Sequence, residues 1–301
     1  MREDCTMTSP ELTQLFPHSE SPDLGASPTE FRLASLYRIP ESPDKGWWLR
    51  ANMISTVDGA VTGPDGSSSS INNAADFRVF EVLRALCDVV VVAAGTVRAE
   101  GYRNIRTPER LTHLRSRYGM DPHPHLVIVS ASGNVPADAL TTDADVSVPY
   151  VVTTSHGASI LPAAFPSENV IILRAYGDGE AAGGGADGGI DAEGGGQVRA
   201  SESTGGSGRI APEDIVGSLL ELGWSRILLE GGPALLGQFV RAGVLDELCL
   251  TTSPLLFPSA VGRITTIGGG SAPVGPPSGA RLGHLLKGED STLLARWELG
   301  D

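Results

Sequence analysis

Chemistry first shows in this chain at Leu228-Leu229-Glu230-Gly231-Gly232-Pro233-Ala234. Ile227 to Leu229 form a short apolar run that suits a strand buried on both faces. Glu230 ends the run, two glycines turn the backbone, and Pro233 stands where a helix can begin its first turn. Strand, Gly-Gly turn and helix N-terminus in that order present backbone N–H groups beside the positive end of a helix dipole. A dinucleotide phosphate is the commonest anion to bind there. The same residues also make a plain tight connection, so the motif alone leaves both readings open. Two other stretches carry polar groups at the ends of apolar runs. Ser55-Thr56-Val57-Asp58-Gly59 closes one run with a turn dipeptide, and Gly95-Thr96-Val97-Arg98-Ala99-Glu100 follows another with a hydroxyl and a carboxylate.

The elements that must position these groups read as alternating strands and helices. Trp48 to Ser55 is a strand, and Gly63 to Ser70 an irregular hydroxyl-rich loop. Asn72 or Asn73 can cap a helix over roughly Ala74 to Leu86. On it, Phe77, Phe80, Leu83 and Cys87 are spaced for one buried face. Arg84, one turn beyond Phe80, reaches either from the edge of that face or into solvent. Asp88 to Ala94 is a β-branched strand of the kind found in parallel sheets, ending at Gly95. Further strands are expected at His125 to Ser130, Tyr150 to Thr153 and Val170 to Leu173. Pro212 with two acids opens a helix carried on by Ile215, Leu219 and Leu222, and a second helix runs from Ala234 to Arg241. A strand after Asp246-Glu247 and a closing strand at Leu293 to Leu299, antiparallel at the edge, complete an α/β domain. In such sheets ligands bind beyond the C-terminal ends of strands, so the ends at Gly95 and Gly231 are candidate walls of one crevice.

Composition narrows the partners. The chain has 301 residues, 41% hydrophobic, with a mean hydropathy of +0.00, ordinary for a globular protein with a sizeable core. A net charge of −14, from 36 acidic and 22 basic residues, argues against general nucleic-acid binding. Cys5, Cys87 and Cys249 form no C-x-x-C pair, so no zinc site is expected, and no apolar run reaches the length of a membrane span. The first residues lack a signal-peptide core, so the expected location is cytoplasmic. Residues 1–29, rich in Ser, Pro and Glu, are expected to have little fixed structure. The domain is expected over residues 30–301, interrupted by a flexible Gly-, Ala- and Ser-rich insertion at 174–209.

Taken together, Ser55-Thr56-Val57-Asp58-Gly59, Ala94-Gly95-Thr96-Val97, Leu229-Glu230-Gly231-Gly232-Pro233 and Val244-Leu245-Asp246-Glu247-Leu248 resemble the pyrimidine reductase family of riboflavin biosynthesis. The likeness covers Trp47 to Leu299. It implies a dihydrofolate-reductase-like three-layer α/β/α fold, with a mostly parallel sheet and an antiparallel edge, NADPH as hydride donor, and a homodimer. The implied reaction reduces 5-amino-6-(5-phosphoribosylamino)uracil to its ribitylamino compound. The motif H-x-E followed by P-C-x-x-C is missing, so deamination is not expected. Reduction of a pterin such as dihydrofolate on the same fold, and nucleotide binding without catalysis, are the alternatives.

By the same resemblance, Ile54, Thr96, Glu100, Ser130 and Gly231-Gly232-Pro233-Ala234-Leu235-Leu236 fall at cofactor positions. Ser68, Arg84 and Glu230 fall at substrate positions, and Arg103 or Arg106 where an arginine holds the substrate phosphate. Asp58 and Glu230 are the candidate catalytic carboxylates; Asp58 either polarises the substrate or only holds its turn. Gly101-Tyr102 and Ser70 depart from the bifunctional enzymes, which have an acidic-Pro pair and an aromatic there, and resemble a stand-alone branch.

Overall fold

A computed structural model describes residues 10–27, 29–143, 145–176, 208–257, 262–265 and 279–300. In chain order the strands are β1 (Leu12–Phe16), β2 (Asp23–Leu24), β3 (Trp48–Thr56), β4 (Val89–Ala93), β5 (His125–Val129), β6 (Tyr150–Thr153), β7 (Val170–Ile172), β8 (Ala175–Tyr176), β9 (Arg209–Ile210), β10 (Arg226–Leu229), β11 (Glu247–Ser253), β12 (Ala280–Gly288) and β13 (Leu293–Leu299). The α-helices are α1 (Phe31–Leu36), α2 (Ala74–Ala85), α3 (Ala94–Glu100), α4 (Thr112–Arg117), α5 (Ser155–Ala158), α6 (Pro212–Glu221) and α7 (Pro233–Arg241).

The main sheet runs β2-β1-β12-β13-β11-β3-β10-β4-β5-β6-β7. From β11 to β7 every neighbouring pair is parallel, and from β11 to β2 every pair is antiparallel. This is the expected mostly parallel sheet with an antiparallel side. Its centre is buried on both faces, which is why β4 and β10 are unbroken apolar runs. Val90, Val92 and Leu228 pack into one core beneath α1 to α4. Val89, Val91, Ile227 and Leu229 pack into the other, against Ile215, Leu219, Leu236 and Phe239 of α6 and α7. Two helical layers on one sheet result.

Four expectations are corrected. Residues 12–16 and 23–24 are strands of the sheet, with Leu12 and Leu24 buried in the core. Arg78 of α2 secures this arm: its guanidinium pairs with Glu30 at 2.8 Å and donates to the carbonyls of Pro10, Leu24 and Gly25. Second, β13 lies between β11 and β12, not at the edge. The sequence hides β12 because a bulge at Leu282/His284 breaks its alternation. Third, the strand expected over Asp88 to Ala94 stops at Ala93 and passes straight into α3, so Thr96 and Glu100 stand on a helix. Fourth, α2 buries Ala75, Val79, Val82 and Leu83, while Phe77 is 52% exposed. Cys87 is buried as expected, but Phe77 and Phe80 turn toward the cleft described below. Of the insertion expected at 174–209, Ala175–Tyr176 and Arg209–Ile210 pair antiparallel, and residues 177–207 lie outside the described residues. No helix among the described residues is long and apolar enough to cross a membrane.

Candidate active-site cleft

The C-terminal ends of β3, β4 and β10 meet at a cleft of about 600 Å³ that α2 and α3 complete. That volume suits a small organic ligand. The lining includes Ile54, Ser68, Arg84, Thr96, Glu100, Arg103, Glu230, Gly231, Gly232 and Pro233, so most expected site residues come together.

The floor is set by the turn after β10. Gly231 and Gly232 have φ of 85° and 80°, a region that side chains with a Cβ rarely adopt. A Cβ on Gly232 would lie 2.7 Å from the Cβ of Ala93, and one on Gly231 would lie 3.2 Å from Cγ2 of Thr96. The turn is therefore packed directly under the start of α3, and α7 begins at its exit with Pro233. The first N–H groups of any helix lack intrahelical partners, so this end of α7 offers amide donors to an anion. Leu235 and Leu236 are buried in the core and Ala234 is exposed, so what the three share with the turn is backbone.

Glu230 is buried and fully engaged. Arg84 grips it with two charged hydrogen bonds, Nε to Oε1 at 2.8 Å and Nη2 to Oε2 at 2.6 Å. The Tyr102 hydroxyl donates to Oε2 at 3.1 Å. The Arg84 guanidinium also lies 4.0 Å from the Phe80 ring centroid. Burial alone would lower the Arg84 pKa, but the charge of Glu230 outweighs it and the pKa rises. Burial, then Glu230, push the Tyr102 phenol well above its ordinary value, so it keeps its proton. The guanidinium fork that the resemblance places at a substrate position is thus already on a carboxylate.

On the facing wall, Glu100 holds the hydroxyl-rich loop. Ser67 Oγ and the backbone N–H of Ser68 each donate to it at 2.7 Å. Of the two candidate phosphate arginines, Arg103 lines the cleft and faces Asp138 at 3.5 Å across an exposed gap. Arg106 is drawn outside it onto Asp143 and Asp145, whose carboxylates raise its pKa. Asp58 is likewise outside the lining. It accepts from the Thr56 hydroxyl and from Phe257 N–H at 2.9 Å, and these bonds, Thr56 foremost, lower its pKa. These bonds tie its carboxylate to Thr56 and Phe257. Ser130 follows β5, its N–H on the Val152 carbonyl and its carbonyl on the Thr153 hydroxyl, also away from the lining.

The cleft holds residues that sequence reasoning passed over. Asp76, third in α2, lines it at 4% exposure. Its pKa is raised to about 6 by burial, opposed by a hydrogen bond from Thr251 and reinforced by the charge of Glu230. Asn52, Phe77 and Tyr102 line it too. The sequence held no signal for Asp76, since an acid in a helix first turn is commonplace and normally solvated. Among the described residues no cluster of His, Cys, Asp and Glu could hold a metal ion.

Residues 47–282 match the family described as RibD C-terminal domain. The chain is 22% identical over 210 residues to the 2,5-diamino-6-ribosylamino-4(3H)-pyrimidinone 5′-phosphate reductase of Archaeoglobus fulgidus, covering 70% of this chain and 81% of that protein. It is 25% identical over 205 residues to the protein of the same name from Methanothermobacter thermautotrophicus, covering 68% and 76%. Among solved structures, a pyrimidine reductase-like protein from Corynebacterium diphtheriae superposes with a TM-score of 0.59 at 20% identity, over 87% of this chain and 96% of that one. That likeness shows the fold: the dihydrofolate-reductase-like three-layer architecture expected above.

Proposed function

The chain belongs to the RibD C-terminal domain family, and from that premise we propose that it is an NADPH-dependent reductase of a ribosylaminopyrimidine 5′-phosphate, converting the ribosyl group to a ribityl chain. The observation that carries this reading is one shared cleft. Its lining combines a two-glycine turn at a helix N-terminus, a hydroxyl and carboxylate on α3, and an aromatic wall on α2. The donor set fits the cofactor: backbone amides of the Gly231-Gly232 turn and of α7 for the diphosphate, with the Thr96 hydroxyl beside them. NADPH, when bound, supplies the hydride for C1 of the opened ribosylamine.

The chain's own residues do the rest. Arg84 and Tyr102 hold Glu230 rigid and oriented at the end of β10, and water supplies the proton that the reduced group requires. Arg103 is the cleft arginine free to exchange an exposed, long contact for a phosphate. The flat wall of Phe77 and Phe80, stacked at 6.1 Å, suits a heterocycle. It also suits a bicyclic pterin, which is the second reading.

The test is loss of NADPH absorbance with purified protein, offered the phosphorylated ribosylaminopyrimidine, its dephosphorylated form and dihydrofolate. Turnover of the phosphorylated compound is expected. In Arg103→Ala its KM should rise about tenfold or more, the worth of a charged hydrogen bond, with the dephosphorylated form unaffected. Turnover of dihydrofolate alone would replace this reading with the pterin one.

A further inference from the structure

We propose that Tyr102 is a positioning residue that ties the substrate's phosphate anchor to the cofactor turn. Its hydrogen bond to Glu230 holds Arg103 at a set distance from Gly231-Gly232, and phosphate binding is thereby converted into alignment of the reacting carbon with the hydride donor. The proposal rests on the reductase reading above and adds a residue to the working of the same site.

One hydrogen bond joins the two subsites. The Tyr102 hydroxyl donates to Glu230 Oε2 at 3.1 Å. Arg103 follows the donor in the chain, and the Gly231-Gly232 turn follows the acceptor. The acceptor end is fixed. Glu230 is 2% exposed, its backbone N–H is on the Val91 carbonyl at 2.9 Å, and Arg84 holds both carboxylate oxygens. Those charged bonds already pair the buried carboxylate with a cation, so its charge does not require the phenol as well. What the phenol adds is a link between chain segments, from the end of β10 to the loop that leaves α3.

The donor end depends on that link. Gly101, at φ 69°, ends α3, and the next two side chains, Tyr102 and Arg103, both line the cleft. Ile105 is buried in the core and secures the far side of the loop. Between Gly101 and Ile105 the remaining ties are long and exposed: Arg103 to Asp138 at 3.5 Å, and the Asp143 N–H to Asn104 Oδ1 at 3.3 Å. Contacts of that kind restrain a side chain weakly. The Tyr102 ring packs partly against the core, with its centroid 5.4 Å from the Arg84 guanidinium, so a phenylalanine keeps the packing and loses only the hydroxyl. The acidic-Pro pair that the bifunctional enzymes have at Gly101-Tyr102 carries no phenol, so this link is particular to chains with the tyrosine. A remote phosphate speeds a reaction only when the body that holds it is rigid with respect to the other reactant.

The experiment measures kcat and KM for NADPH oxidation with the phosphorylated ribosylaminopyrimidine and with its dephosphorylated form, in wild type and Tyr102→Phe. With the phosphorylated compound, Tyr102→Phe should lose about tenfold or more in kcat while KM stays within about twofold, because Arg103 still binds the phosphate but no longer holds the carbon in line. With the dephosphorylated compound kcat should change by less than about threefold, since there is no anchor to misplace. Equal losses with both compounds, wild-type kinetics, or a raised KM at unchanged kcat overturns the proposal while the reductase reading stands. If wild type reduces neither compound, that reading fails, and calorimetry with ribose 5-phosphate, with and without NADP+, decides the link. Wild type should bind ribose 5-phosphate about fivefold or more tightly when NADP+ is present, and Tyr102→Phe equally in both conditions. Equal or absent binding by wild type in the two conditions, or the same gain in Tyr102→Phe, overturns the proposal.

Discussion

Replacing Asp76 by Asn should stabilise the protein at neutral pH and above, and not at acid pH. Burial raises the Asp76 pKa from an ordinary 3.8 to about 6, so the folded state holds this proton more tightly than the unfolded chain does. Between those two values the folded protein binds more protons, and stability from this group falls as pH rises. Below the lower value both states are protonated and the effect vanishes; above the upper one the deficit is constant. The difference of roughly two units corresponds to a penalty of about 3 kcal/mol at pH 7.5. Asparagine keeps the shape and a group for Thr251 to bond but carries no charge to desolvate. Urea unfolding of both proteins from pH 4 to pH 8 should therefore show curves that nearly coincide at the acid end. They should diverge through pH 5 to 6, with the variant more stable by ~3 kcal/mol at the top. Groups that do not interact with Asp76 cancel in this difference. A gap that does not change with pH, or a variant less stable at pH 7.5, would refute the claim that Asp76 is an uncompensated buried carboxylate. A residue whose ionised form costs stability in the free protein is the trade expected of a binding site.

Two further outcomes test other parts of the framework. Gly232→Ala must place a Cβ 2.7 Å from that of Ala93 at a φ of 80°, so unfolding should show a loss of about 1–3 kcal/mol and fluorescence titration a weaker NADPH complex; wild-type behaviour in both would mean the turn is not a tight cradle. Arg78→Ala should cost about 3–5 kcal/mol in urea by leaving Glu30 charged and buried, whereas Arg78→Met with Glu30→Met should recover most of it; a near-neutral single variant would show that the N-terminal strands are not held through this pair.

What could be read from the residues follows the length scale of the interaction involved. Val89 to Ala93 and Ile227 to Leu229 announce doubly buried strands because burial on both faces leaves no room for polar residues. Glu230-Gly231-Gly232-Pro233 announces its turn because the backbone conformation demands those residue types locally. Glu230 and Arg84, 146 residues apart, each stood out by motif, yet nothing local says that they bind each other. The same limit hides β12, whose bulge breaks its period, and the first strands, whose few apolar residues matter only once Arg78 gathers their carbonyls. Asp76 is the sharpest case. Its residue type and helix position predict a solvated acid, and only the closure of β3, β11 and α2 around it makes it a buried one.

The two arginines of the cleft show why residue type alone does not place the phosphate. Arg84 is the better fork by sequence, carried on a regular helix beside an aromatic. In the fold its partner is a carboxylate at 2% exposure, held by two short parallel hydrogen bonds, and a phosphate could take the fork only by leaving that charge buried and alone. Breaking a buried pair in this way costs about 3–5 kcal/mol. Arg103 faces Asp138 at 3.5 Å with the two side chains 55% and 61% exposed, a contact of the kind worth about 0–1 kcal/mol. Exchanging it for a phosphate costs almost nothing and gains a charge-assisted bond of about 1.5–3 kcal/mol. The weaker, more solvated arginine is therefore the better anchor, and the stronger pair serves as the rigid wall against which the substrate is placed.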